Sequence, residues 1–564
     1  MCAARDEPGR APGAGSAGLT IASTVALFVL TIGVDLAADT RRVFGYLAAD
    51  AFYYLTVARN IGDHGSPSFD GVHPTNGYQP LWQWILGPLH ALVEALGASQ
   101  YVLPMLVLLC IAAIAGGLVL LGRALTRPDG HLSPLFPLVV PGVCALLSTP
   151  LFDPRHDAPA FNEPATARPV FTTLWSFANG METGALLLVF AGGLLWCVRR
   201  PQVVSVRAAL GLAGLAFLLT LARLDHVFFA AALLAAMMAS GPGASRRRAL
   251  LAAGVFGALL ALFLLANKLA FGAALPISGA AKSTFPQVSG TSSGALVRMF
   301  TDPPRAWVSW AARLVQMLLP ALIAALYVPC TLRLVRVGWR VKLRLRAGCE
   351  RIDWLLLWLT PAVVVLALYD FLFVRIIHHG NWYFPVSTLF ASLAVISTLD
   401  RVPALRRLAR SRRGMILWLA LCQAGVLAYF FRAHHHPRHQ EQLASFYYDE
   451  APRVRAFYGD TPPRLLELDD GIVGYATGFP AMSATGLALD ARAARAMQTG
   501  RLPDLAIARG FDRFTSLFYL DTLEGMASGK DKRAARWRFT LEYYAADPRF
   551  AVYRLQRREP AAGP

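Results

Sequence analysis

The sequence predicts an α-helical polytopic membrane protein with about eleven crossings of about 20 residues each, and a small extracytoplasmic α/β domain at its C-terminal end. Three observations carry this prediction. Of the 564 residues, 55% are hydrophobic and only 16% charged, where a soluble chain carries about a quarter charged. The apolar residues fall into long runs parted by short polar stretches. The arginines gather in alternate loops, as the positive-inside rule requires of a chain whose N-terminus is cytoplasmic.

Taken in order, residues 1–18 are rich in Gly, Ala and Pro and predict a disordered cytoplasmic N-terminus. The run 19–37 follows Arg5 and Arg10 and leads into the small residues of "DLAAD", a pattern a cleaved signal peptide also shows. Cleavage would leave Asp50 on a loose tail, so the run reads as an uncleaved anchor. Residues 38–100 form a long first external loop. Its last part, "LWQWILGPLHALVEALG" (81–97), suits a helix lying in the interface. As a crossing it would invert every later loop and place "RVKLRLR" outside.

Further crossings are expected at 101–121, 134–150, 183–197, 208–222, 227–240, 249–266, 306–328, 354–375, 383–399 and 414–431. These complete a transmembrane domain over 19–431. The arginine-rich segments "VRRPQVVSVR" (198–207), "SRRR" (245–248), "RLVRVGWRVKLRLRAGCER" (333–351) and "RVPALRRLARSRR" (401–413) fall on the cytoplasmic side. Residues 151–182 and 267–305 become external loops. The net charge of +19 therefore reflects topology rather than nucleic-acid binding. The seven cysteines all fall in apolar runs or cytoplasmic segments, so no external disulfide framework is available.

From 432 to 564 the charge content becomes ordinary. "RLLELDDGIVGYAT" (464–477) alternates like strand–turn–strand and "RFAVYRLQRR" (549–558) like a closing strand; helices are expected near 489–499 and 512–526. No internal repeat supports the inverted halves of many transporters.

Charged groups beside a bilayer are costly and mark candidate sites. Here they are Asp50 in "ADAFYYLTVARN", Glu182 in "NGMETG", Arg223, Asp225 and His226 in "ARLDH", Lys282 in "FGAALPISGAAK", and His378 and His379 in "RIIHHGNWYFP". All fall at outer helix ends, which points to a reaction site on that face rather than a permeation path. Each also has a plainer reading. Asp50 could cap a helix, Glu182 and the Arg223/Asp225 pair could be structural ions, Lys282 could snorkel, and the two histidines could be interfacial. The run "HHHPRH" (434–439) reads as a basic hinge rather than a metal site. With no P-loop or other nucleotide motif on the cytoplasmic side, an outward-facing reaction needs an activated substrate delivered through the membrane. A lipid-linked phosphosugar fits.

The block "ADAFYYLTVARNIGDHGSPSFDGVHPTNGYQPLW" (49–82) resembles the first external loop of GT-C-type integral membrane glycosyltransferases. The likeness is to bacterial members that use polyprenyl-phosphate mannose or arabinofuranose. "NGMETG", "ARLDH", "NKLAFGAALPISGAAK" (267–282) and "LDDGIVGYATGFPAMSATGL" (468–487) resemble further blocks in the same order. Where that family usually carries Asp-Asp, this chain has Ala49-Asp50, and "GDHG" stands for its usual Gly-His-Gly.

The resemblance implies an inverting glycosyltransferase of the bacterial inner membrane. It would move a sugar from a polyprenyl-phosphate donor to a glycan, lipid or protein hydroxyl of the cell envelope. Asp50 would be the base. Arg223 and Lys282, with His378 and His379, would face the donor phosphate. Tyr54, Asn76, Tyr78 and Trp82 would shape the cleft, with Glu182 and Asp225 supporting it. No cofactor is expected, although Asp50, Glu182 and Asp225 could converge on a divalent ion. Membrane lipid is an expected partner and nucleic acid is not. A transporter or flippase, or an inactive scaffold that has lost one aspartate at Ala49, are the alternatives.

Overall fold

A computed structural model describes residues 14–36, 41, 43–44, 47–126, 132–139, 178–279, 318–328, 348–373, 385–399, 413–414, 416–422, 424–425, 443–467, 471–499, 501–516, 537–544 and 551–557. The chain is mostly helical, with apolar helices followed by a small sheet-containing C-terminal domain. The helices α1 (Ala14–Leu36), α2 (Ala49–His64), α3 (Pro80–Ala95), α4 (Val102–Leu125), α5 (Thr183–Arg199), α6 (Val206–Ala222), α7 (Val227–Ser240) and α8 (Gly243–Phe271) come first. After them lie α9 (Leu318–Val328), α10 (Gly348–Phe373) and α11 (Pro385–Leu399).

Among the described residues, three segments are long and apolar enough to cross a membrane by themselves: Ser99–Leu125, Gly243–Phe271 and Arg351–Leu372. Ala17–Val29, Thr183–Arg199, Val206–Ala222, Leu224–Ser240, Leu318–Val328 and Val386–Leu399 are apolar but shorter. Short crossings survive where neighbouring helices shield them, and here Phe190 of α5, Leu212 of α6 and Phe229 of α7 are buried in one core. The expected runs at 134–150, 306–328 and 414–431 fall partly outside the described residues.

Polar clasps show which helix ends lie together. Trp354 Nε1 of α10 donates to Ser240 Oγ at the end of α7 (2.9 Å), and Arg351 to the Val198 carbonyl at the end of α5 (3.2 Å). Beside them Asp353 is buried, accepting from Tyr327 of α9 (2.9 Å) and from Ser397 of α11. At the opposite ends of α5 and α6, Glu182 meets Arg223.

The helix α3 has one inward and one exposed face. Trp82, Leu86 and His90 turn inward, while Trp84, Leu92 and Leu96 are exposed. One face rests on α2, where Gly87 lets Ile61 approach to within 3.0 Å of where a Cβ would stand.

The C-terminal domain starts with α12 (Leu443–Tyr458) and builds a five-stranded sheet in the order β2-β1-β3-β5-β4. The strands are β1 (Leu465–Glu467), β2 (Ala481–Ser483), β3 (Arg513–Ser516), β4 (Trp537–Tyr544) and β5 (Ala551–Arg557). β2, β1 and β3 run parallel, and β5 and β4 extend the sheet antiparallel. α13 (Ile472–Thr477), α14 (Ala491–Gln498) and α15 (Leu502–Ala508) link the parallel strands.

Two local expectations are corrected. The second half of 464–477 is α13, not a strand. The buried Glu467 carboxylate accepts from the backbone N–H of Val473 (2.6 Å) and Gly474 (3.1 Å), and Gly471 turns the chain at φ 91°. A carboxylate on these first-turn donors favours helix over strand. In the expected helix 512–526, residues Arg513–Ser516 are instead β3, held between β1 and β5; the rest lies outside the described residues.

The two parts of the chain are sewn together by the first loop. Thr75 Oγ1 donates to the Leu489 carbonyl at 2.7 Å. Asn76 Nδ2 donates to the carbonyls of Ala273 and Leu275 (3.2 and 3.3 Å), and its Oδ1 accepts from Ile277 N–H (3.2 Å). Ile277, six residues after the end of α8, is buried in the core of the C-terminal domain with Leu466, Met482 and Phe514. A Cβ on Gly77 would stand 1.9 Å from the Leu487 carbonyl oxygen. Gly77→Ala is therefore expected to prise the domain away from the loop. Limited proteolysis should cut the C-terminal domain markedly faster than in the wild type, and equal rates would contradict this contact.

Candidate active site

The expected residues that can be described gather at one end of the bundle. Four stretches meet there: the start of α2, the turn 178–182, the turn between α6 and α7, and the segment 75–83 that runs into α3.

The turn 178–182 is fixed by two bonds from outside it and one within it. Ala48 N–H donates to the Asn179 carbonyl (2.9 Å), Trp82 Nε1 donates to the Gly180 carbonyl (3.0 Å), and Asn179 Oδ1 accepts from Met181 N–H (3.2 Å). Gly180 has φ 88°, and a Cβ there would stand 2.9 Å from Ala51 and from Leu47. The turn thus lies directly on the first residues of α2 and places Glu182 behind them.

Glu182 is buried and doubly held. Its Oε1 accepts from Arg223 Nη1 at 2.9 Å, and its Oε2 from the Tyr54 hydroxyl at 3.2 Å. Arg223, at the end of α6, gives Nε (3.1 Å) and Nη2 (2.9 Å) to Asp225. Asp225 in turn accepts from His226 Nδ1 at 2.7 Å, with the proton on that nitrogen. A planar fork is suited to bridging two carboxylates in this way. The Tyr54 hydroxyl accepts from Gln79 N–H (3.1 Å), and Gln79 Oε1 accepts from Leu224 N–H (3.2 Å). The network therefore joins α2, the loop before α3, and the α6–α7 turn.

Burial alone would push the Asp225 carboxyl up, but the charge of Arg223, then that of His226, holds it well below the usual carboxylate range. Burial, then the Glu182 charge, raises the Tyr54 hydroxyl well above its usual value, so it stays a donor at neutral pH. The sign for Asp225 is that of a lowered folded value. Its contribution to stability is fully present above the ordinary value of about 3.9 and is lost as the pH falls further. Wild type should exceed Asp225→Asn in unfolding temperature at neutral pH, and the gap should narrow below about pH 4. A gap that stays constant from neutral pH to pH 3 would contradict the ion-pair account.

Asp50 differs from these residues. It lies in the first turn of α2 but does not cap it: Ala48 is the N-cap, and no side chain closes the helix end. The residue is only 8% exposed, yet among the described residues no hydrogen bond or ion pair holds its carboxylate. Tyr54 stands one turn further along the same helix, and Tyr53 stacks on Tyr54 with ring centroids 4.3 Å apart. Near the same end of the bundle, then, one carboxylate (Asp50) is open and another (Glu182) is fully committed.

The remaining expected residues divide clearly. Tyr54, Asn76 and Trp82 direct their polar atoms to the protein, as described above. Tyr78 is buried, and burial raises its hydroxyl above the usual value. Lys282, His378 and His379 lie outside the described residues. Among the described residues, no group of three His, Cys, Asp or Glu side chains is placed to hold a metal ion.

Sequence reasoning passed over Gln79, which bridges two elements from within the quoted "TNGYQPLW". It also passed over Asn60, whose amide donates to the carbonyls of Ser68 (2.8 Å) and Phe69 (3.1 Å) and sets the turn after α2.

No protein-family model matches the chain, and no curated protein matches it. Among solved structures, the chain is similar to the apo oligosaccharyltransferase of Archaeoglobus fulgidus. The match has 10% identity and a TM-score of 0.41, over 96% of this chain and 74% of that one. It is also similar to ArnT from Cupriavidus metallidurans bound to undecaprenyl phosphate. That match has 12% identity and a TM-score of 0.44, over 96% of this chain and 98% of the other. Both likenesses are of fold.

Proposed function

We propose that the protein is a GT-C-type membrane glycosyltransferase. It transfers a sugar, with inversion, from a polyprenyl-phosphate donor to a hydroxyl acceptor of the cell envelope, at the extracytoplasmic face. The observation that carries this reading is the Asp50 carboxylate, low in exposure and open, one turn before a tyrosine locked into the Glu182–Arg223–Asp225 network.

In a single displacement the acceptor oxygen bonds to the anomeric carbon as the bond to the lipid phosphate breaks. The acceptor proton passes to Asp50, and the polyprenyl phosphate leaves with the electron pair. Positive charge develops on the sugar in the transition state, as in glycosidases, and the unpaired Asp50 carboxylate favours it. One carboxylate suffices because a phosphate monoester needs no proton to depart. With both sides of its fork already occupied by Glu182 and Asp225, Arg223 acts in this reading mainly as the post that keeps Glu182 and Tyr54 in place. The donor phosphate is then left to Lys282, His378 and His379.

The test is transfer in detergent. Purified protein is mixed with radiolabelled polyprenyl-phosphate sugars and membrane extract as acceptor. Product formed without any sealed compartment is expected of an enzyme, since a transporter needs two sides. Failure with every donor would remove the transferase reading.

A further inference from the structure

We propose that the seam between the end of α8 and the start of α14 binds anionic phospholipid headgroups through Arg492 and Arg495. This stands apart from the transferase reading. α8 carries Arg246, Arg247 and Arg248 near its start and is then apolar, with Leu250, Leu262, Leu265 and Leu269 all exposed. About 20 residues cross the hydrocarbon of a bilayer. Counted from Ala249, that span ends at about Lys268. Lys268 Nζ is exposed and donates to the Gly272 carbonyl (3.0 Å), where the chain turns with φ 74°.

That turn touches α14: a Cβ on Gly272 would stand 3.5 Å from the Ala491 Cβ. α14 therefore begins at the level where headgroups begin. Its Ala493 and Met497 are buried in the core of the C-terminal domain, while Arg492 and Arg495, one turn apart, are exposed. Arg509 is paired with Asp490, and Arg513 with Asp512 and Glu542, whereas Arg492 and Arg495 stand beside the turn at Gly272. Among the described residues Arg492 and Arg495 make no ion pair, and Arg495 Nε donates only to the Ala491 carbonyl (3.2 Å).

Two open guanidinium forks match phosphodiester oxygens. Leu269, 78% exposed, and Leu275, 65% exposed, lie on either side of the same turn. Acyl chains would cover these leucines, and a soluble polyanion would not.

The full-length protein in detergent would be titrated with phosphatidylglycerol and with phosphatidylcholine, and bound lipid counted by native mass spectrometry. A basic residue near an anionic surface contributes about fivefold in affinity. Wild type should therefore prefer phosphatidylglycerol, and Arg492→Gln/Arg495→Gln should lose about twenty-fivefold of that affinity. Arg492→Lys/Arg495→Lys should keep most of it, and all three proteins should unfold at similar temperatures. Equal retention of the two lipids by wild type, or undiminished phosphatidylglycerol binding in the Gln pair, would overturn the proposal. It would also be overturned if the Gln pair kept the lipid but lost binding to heparin as a soluble polyanion, which would make this a glycan surface.

Discussion

Asp50→Asn is expected to lower sugar transfer by about a thousandfold, within the range a positioned general base supplies, while leaving donor binding unchanged. The amide is nearly isosteric but cannot take the acceptor proton. Because Asp50 neither caps α2 nor holds another described side chain, the substitution should not disturb the fold. Unfolding temperature should stay within a degree or two of wild type. Release of radiolabelled sugar and retention of unreacted donor would be measured side by side. Transfer at the wild-type rate would leave Asp50 without a chemical role and shift attention to Glu182 and Asp225. Loss of transfer together with loss of donor binding would make Asp50 a binding group rather than the base.

Arg223→Met is expected to destabilise the protein by about 3–5 kcal/mol, the usual cost of stripping the partner from a buried charge. The effect is large because one guanidinium serves two carboxylates. Glu182 and Asp225 would both remain in place, with side-chain exposures of only 2% and 16%. Glu182→Gln should cost much less, since the amide oxygen can still accept from Arg223 and Asp225 still balances the charge. Thermal unfolding in detergent distinguishes the two. If Arg223→Met melts with wild type, the network is not holding the turn and helices together, and its arginine is free for another task.

The helical architecture was legible because apolar runs of about 20 residues, parted by arginine-rich stretches, have few other ways to fold. The run at 249–266 and the helix α8 show the same element with only the ends shifted. The end-clustering of Glu182, Arg223 and Asp225 was legible too, because a charge at the edge of an apolar run has few reasons to be there. Partner identity was not. Nothing in "NGMETG" or "ARLDH" says that Glu182 and Asp225 share one arginine, because the pairing depends on how α5 and α6 pack. The misread helix in 464–477 has the same origin. "GIVGYAT" alternates like a strand, and Glu467, a carboxylate on the neighbouring strand, decides it by accepting from the first turn of α13. Asp353 was passed over because it stands just before the run at 354–375, and only the fold brings Tyr327 and Ser397 to it.

The stitch between the first loop and the C-terminal domain also sets a timetable for synthesis. Thr75 and the carbonyl it grips at Leu489 are separated by 414 positions along the chain. At ribosomal speeds of about 5–20 residues per second, Thr75 waits about 20 to 80 s for that carbonyl to be made. Throughout that interval the loop carrying Asn76 and Gly77 lacks its contact with the C-terminal domain. A nascent chain that ends before Leu489 leaves Thr75 without this partner, so its first loop should be cleaved by added protease more readily than that of the full chain.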